Sequence, residues 1–183
     1  MSIWIGVFCS ASEPPTLLEL GEAIESLLRD VRVERFLRDV LGQEPAEPDR
    51  PWHQSNETAQ IIFRDDRITP PERYGVQVSF SPRRVADGGY SWCDNWLRSI
   101  PDDLSDEFPD VGTAWLERIR RMVETTEFEM SVRYPLRPDV PSAWIDLVWT
   151  LAQWVGRTYD GVMHLPDNGL FDPADRQLIA KWR

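Results

Sequence analysis

The chain has 183 residues, 42% of them apolar and 11% aromatic, which suits one domain with a real core and excludes a disordered segment. Its 31 acidic residues outnumber 20 basic ones and leave a formal net charge of -11. That balance disfavours nucleic acid or an anionic membrane as the main partner, since both attract positive surface.

Residues 3–9 are apolar at every position, as in an interior strand with both faces covered. No basic residue precedes them, so they do not read as a signal peptide. After Pro14-Pro15, Thr16 and Glu19 have the spacing of a capping box, and Leu17, Leu20, Ala23, Ile24, Leu27 and Leu28 follow at helical spacing. Val33, Phe36, Leu37, Val40 and Leu41 predict a second short helix ending at Gly42. Pro45, Pro48 and Pro51 mark residues 43–58 as a loop.

Strands are expected at 60–64 and 74–81. In the second, Tyr74, Val76, Val78 and Phe80 face one way and Gly75, Gln77, Ser79 and Ser81 the other. Phe128, Met130, Val132 and Tyr134 repeat that alternation. Between these strands the spacing predicts a helix over 114–125. A second, more buried helix over 142–157 leaves only Asp146, Thr150, Gln153 and Arg157 as a narrow water-facing stripe past its first turn. A short strand at 161–165 and a turn at Pro166-Asp167-Asn168-Gly169 close the pattern. Strands of this alternating kind belong to antiparallel sheets. The expected fold is α+β over a single domain, residues 1–183, with a mainly antiparallel sheet and helices packed on one face.

No motif fixes a reaction. Cys93 has two histidines in reach of the sequence, His53 and His164, as a possible base, but cysteine is among the most commonly buried residues. Asp160, Asp167, Asp172 and Asp175 fall within 16 residues, and an acid/base pair or a hard cation would need them to converge. Asp167-Asn168-Gly169 reads more simply as a tight turn. Two cysteines form no disulfide framework and no C-x-x-C pair, so reduced thiols and a cytoplasmic location are expected, with no metal and no cofactor.

Residues 99–117 stand out. They hold Asp102, Asp103, Asp106, Glu107 and Asp110 without a single Lys or Arg, and Trp92, Trp96 and Trp115 flank them. Such a run can simply face water, yet an acidic field beside aromatic anchors also suits a docking surface for a basic protein. Of the nine tryptophans, Trp4, Trp144, Trp149 and Trp154 are assigned to the core. Trp52, Trp92, Trp96 and Trp182 lie in segments without periodicity.

The amino-terminal strand Ile3-Trp4-Ile5-Gly6-Val7-Phe8 and the half-exposed strands suggest a family, as does the close running from Asp160-Gly161-Val162-Met163 to Gly169-Leu170-Phe171-Asp172. In this layout the chain resembles the immunity proteins of bacterial polymorphic-toxin and contact-dependent antagonism systems. The resemblance implies a protein without catalytic activity that binds and neutralises one cognate toxin, basic at its active site. From the residues themselves, the partner-binding set is Asp102, Asp103, Asp106, Glu107, Asp110, Trp92 and Trp96, with no nucleic-acid or membrane partner. Two alternatives remain open: a small enzyme or ligand-binding domain using Cys93 or the carboxylates from Asp160 to Asp175, and an acidic mimic of nucleic acid.

Overall fold

Strand β1 (Ser2–Cys9) lies inside one antiparallel sheet, paired with β5 (Phe128–Pro135) on one side and β6 (Gly161–Leu165) on the other. Its apolar character on both faces follows from that place, because protein covers residues 5–9 above and below. The computed structural model describes residues 2–38, 44–52, 55–66, 72–100, 108, 111–135, 142–166 and 168–181. Among these, β2 (Val31–Leu37), β3 (Glu57–Asp65), β4 (Glu72–Pro82), β7 (Gly169–Phe171) and β8 (Leu178–Ala180) complete an eight-stranded sheet. The order is β2-β3-β4-β5-β1-β6-β7-β8. No helix among the described residues is long and apolar enough to cross a membrane.

Helices α1 (Leu17–Leu27) and α4 (Ser142–Thr158) pack on one face. Beneath them lie the inward positions of the alternating strands, Val76, Val78 and Phe80 of β4 and Phe128, Met130 and Val132 of β5, all buried. Burying each such side chain contributes about 1.5–3 kcal/mol. Thr16 starts α1 as its spacing predicts: its Oγ1 accepts from the Glu19 amide at 3.2 Å, and Glu19 Oε2 accepts from the Thr16 amide at 2.7 Å. The chain is therefore α+β, with a sheet that is antiparallel throughout the described residues.

A second, smaller layer sits on the opposite face. The short helix α2 (Trp92–Arg98) and the helix α3 (Thr113–Thr125) cover the β1–β6 end, where Cys93, Leu97, Ile119 and Met122 meet Phe8, Val162 and Leu170. Helix α2 also reaches the Ser81–Pro82 end of β4; the rest of the β2–β4 part of that face stays uncovered, and its side chains are mostly half-buried or exposed.

Several expectations need correction. The segment read as a second helix is strand β2. A bulge between Val33 and Arg35 inserts one residue, so Val33 and Phe36, opposite Phe63 and Ile61, share a face at a spacing of three. A bulged strand thus imitates helical periodicity. The polar stripe of α4 is only partly water-facing: Asp146 and Arg157 are exposed, Thr150 is half-buried and Gln153 is buried. The 172–177 turn lies on it, with Gln153 Nε2 donating to the Pro173 carbonyl at 3.1 Å. Arg176, at φ 63, donates from Nε to Gln153 Oε1 at 2.5 Å and from Nη2 to Thr150 Oγ1 at 2.9 Å. Helix α2 and strands β7 and β8 were not expected. Trp4 is not a core residue: it projects from β1 onto the partly open face and is half-buried.

Candidate functional site

Strand register brings the site together. On the partly open face, Gln77 lies opposite Arg133, Ser79 opposite Ser131, and Ser81 opposite Glu129. Thr58 of β3 adjoins Ser79, their hydroxyls 3.0 Å apart, and Trp4 of β1 lies opposite Arg133. These positions, with Trp92 and Trp96 of α2 as a wall, enclose a cavity of about 520 Å³. Small side chains along its middle row make the recess, and rings and longer side chains make its rim.

Helix α2 is pinned beside it by a polar cluster. The Ser91 side chain caps the helix by accepting from the Asp94 amide at 2.9 Å, and its hydroxyl donates to the Pro82 carbonyl at 2.5 Å. Ser81 Oγ accepts from the Cys93 amide at 2.9 Å and donates to Asn56 Oδ1 at 2.6 Å. Asn56 Oδ1 also takes the Trp92 amide at 3.3 Å. Sheet and helix are thereby held at one angle, which sets the spacing of the indoles above the strands.

At the inner end sits a buried pair. Glu129 lines the cavity yet is only 3% exposed, and His164 of β6 is fully buried. A carboxylate can only accept, so His164 Nε2 donates to Glu129 Oε1, at 2.9 Å. The two side chains meet across β1 over Gly6, where a Cβ would stand 1.9 Å from His164 Nε2. The imidazole stacks on Phe8 at a centroid distance of 4.3 Å, with Trp96 at 5.5 Å and Trp4 at 5.8 Å. Its Nδ1 has no partner among the described residues. The second oxygen of Glu129 also lacks a hydrogen bond among them, and it belongs to a side chain that faces the cavity.

The charges around the mouth are mixed. Arg133 is exposed and forms no ion pair among the described residues. Farther along the face, Glu34 accepts from Arg73 at 2.6 Å and pairs with Arg64 at 3.5 Å. The Arg73 hydrogen bond holds the Glu34 carboxyl below the usual carboxylate range.

Of the residues singled out from sequence, Trp92 and Trp96 reach this cavity, the first 44% exposed and the second half-buried. Asp102, Asp103, Asp106, Glu107 and Asp110 lie outside the described residues, as do His53, Asp167 and Trp182. Within the acidic interval Phe108 is buried against α2 and α3, and Trp115 carries the Arg118 guanidinium 4.9 Å above its ring. Cys93 is fully buried, and burial, then the nearby Glu129 charge, pushes its thiol well above the ordinary range. It is no ready nucleophile.

The later aspartates are engaged separately. Asp160 pairs with Arg121 at 3.7 Å and Asp172 with Arg118 at 3.3 Å, while Asp175 accepts from the Gln177 amide at 2.8 Å. Among the described residues no three His, Cys, Asp or Glu side chains converge on a metal site. Sequence reasoning missed Trp4, Glu129, Arg133 and His164 as a group. The signal available was the polar face of 128–134, alternating with the core residues, but nothing local ties it to Trp4 or His164. Comparison with family models, curated proteins and solved structures finds no match.

Proposed function

We propose that this chain binds and neutralises a cognate bacterial toxin, and that the cavity walled by Trp4, Trp92 and Trp96 is a principal contact with it. The observation that carries this reading is the recess itself, an uncovered part of the sheet where three indoles and a buried carboxylate line one cavity. Aromatic side chains around a concave centre have the composition of a protein-binding hot spot. The acidic interval begins just past α2 in sequence, and its negative charge would steer a toxin with a basic active-site cleft.

The test takes as partner the product of the reading frame that adjoins the gene for this chain. The two proteins should co-purify, and co-expression should protect a cell that the toxin alone kills. Association should slow with added salt, and W92A/W96A should weaken the complex about tenfold or more. W92A alone, which removes an exposed ring, should weaken it at an unchanged thermal melt. Absence of both complex and protection would reject the reading. A second reading, a small-molecule binding domain, is favoured by the cavity volume of about 520 Å³, which lies in the range of ligand pockets. It predicts saturable binding of a small polar molecule with no effect on any toxin.

A further inference from the structure

We infer that the cavity receives a guanidinium, the arginine side chain of the bound partner, with Glu129 as its counter-ion. The inference rests on the toxin-binding reading and names what the partner must present. Glu129 is the decisive group. It is almost wholly buried, one oxygen is held by His164, and the other has no partner among the described residues while its side chain faces the cavity. A desolvated carboxylate with a free acceptor attracts a cationic donor far more strongly than an exposed one.

The walls favour the planar cation. Trp4 and Trp96 meet at 57° with centroids 5.7 Å apart, and both line the cavity together with Glu129, offering indole surface to a flat group. Guanidinium stacks on such faces and sheds water more readily than an ammonium. Ser131 lines the same cavity and offers a hydroxyl acceptor for a second N–H. Arg133 is the opposing charge. It stands four residues from Glu129 along β5, about 13 Å at strand rise, and is exposed to solvent that screens it. It marks the mouth, and Glu129 governs the inner end.

The probes are acetyl-Gly-Arg-Gly-amide and the same peptide with citrulline, its neutral counterpart of nearly equal shape. Binding is read from the indole N–H resonances of the labelled protein, with Trp4, Trp92 and Trp96 assigned by single Trp→Phe variants. The arginine peptide should shift these resonances saturably, and the citrulline peptide should not. Glu129→Gln keeps an acceptor for His164 and should weaken binding about tenfold or more. Arg133→Ala removes a like charge from the mouth and should tighten binding.

Failure of the arginine peptide to bind, equal binding of the citrulline peptide, or weakening by Arg133→Ala would overturn the inference. A toxin complex that needs Trp92 and Trp96 but ignores Glu129→Gln would overturn it while sparing the toxin-binding reading. Arginine-peptide binding without any toxin complex would do the reverse.

Discussion

Gly6→Ala offers the most direct test of how the buried pair is built. A Cβ at Gly6 would lie 1.9 Å from His164 Nε2 and 2.6 Å from the two adjacent ring carbons. Contacts below 3 Å force a displacement, and this ring cannot swing into water, because it is fully buried between Phe8, Trp4 and Trp96. Moving it gives up a charge-assisted hydrogen bond, about 1.5–3 kcal/mol, and ring stacking of about 0.5–1.5 kcal/mol. The expected loss is about 2–4 kcal/mol. Equilibrium urea unfolding should show it as a lower midpoint at unchanged slope.

The decisive arm is the cycle with His164→Ala. Without the ring, the new methyl group has room, and alanine in a strand is better than glycine by about 0.5–1 kcal/mol. Gly6→Ala should then be neutral or slightly stabilising in that background, a strong non-additivity between the two sites. Equal costs in both backgrounds would refute the reasoning, because Gly6 would then serve something other than the imidazole.

Arg176 holds the 172–177 turn on α4 while adopting φ 63. Both Arg176→Ala and Arg176→Gly lose its hydrogen bonds, but glycine relieves the left-handed backbone. The glycine variant should therefore be more stable by about 1 kcal/mol in urea unfolding, and the opposite order would contradict this account. Cys9 and Cys93 are both fully buried with thiols pushed well up, chiefly by burial. An aromatic disulfide reagent at mildly alkaline pH should leave both untouched in the native protein and label both in denaturant. Rapid native labelling of either would show that the packing is wrong. The Tyr159 phenol is pushed up to about 12 by burial and then by the Glu19 charge. Its folded value exceeds the unfolded one, so its stabilising contribution is full below about 10 and disappears as pH rises through about 12. Ultraviolet titration should show a late tyrosinate transition that Tyr159→Phe removes; an unchanged late transition would assign it elsewhere.

Strands β4 and β5 were legible because each alternates apolar and polar side chains over a whole strand, a period that one buried face imposes. The Thr16 cap was legible because its two hydrogen bonds lie within four residues. Strand β2 was not, since its bulge converts a period of two into a step of three. Helix α2 is seven residues long and buries only Cys93 and Leu97, too few to display a period. The α4 stripe was seen correctly as polar, but its partner is a turn some 20 residues later, which no local spacing reveals.

The sequence by itself determined which residues alternate, where α1 starts, and that the chain makes an α+β fold with an antiparallel sheet. Those properties depend on neighbours a few positions apart. Only the tertiary structure decided that Trp4, Trp96, Glu129 and His164 meet. Their meeting requires β1 to lie between β5 and β6, with Gly6 leaving the gap through which two side chains join. Strand order is set by packing over the whole sheet, so a site built across three strands leaves no signature in any one of them.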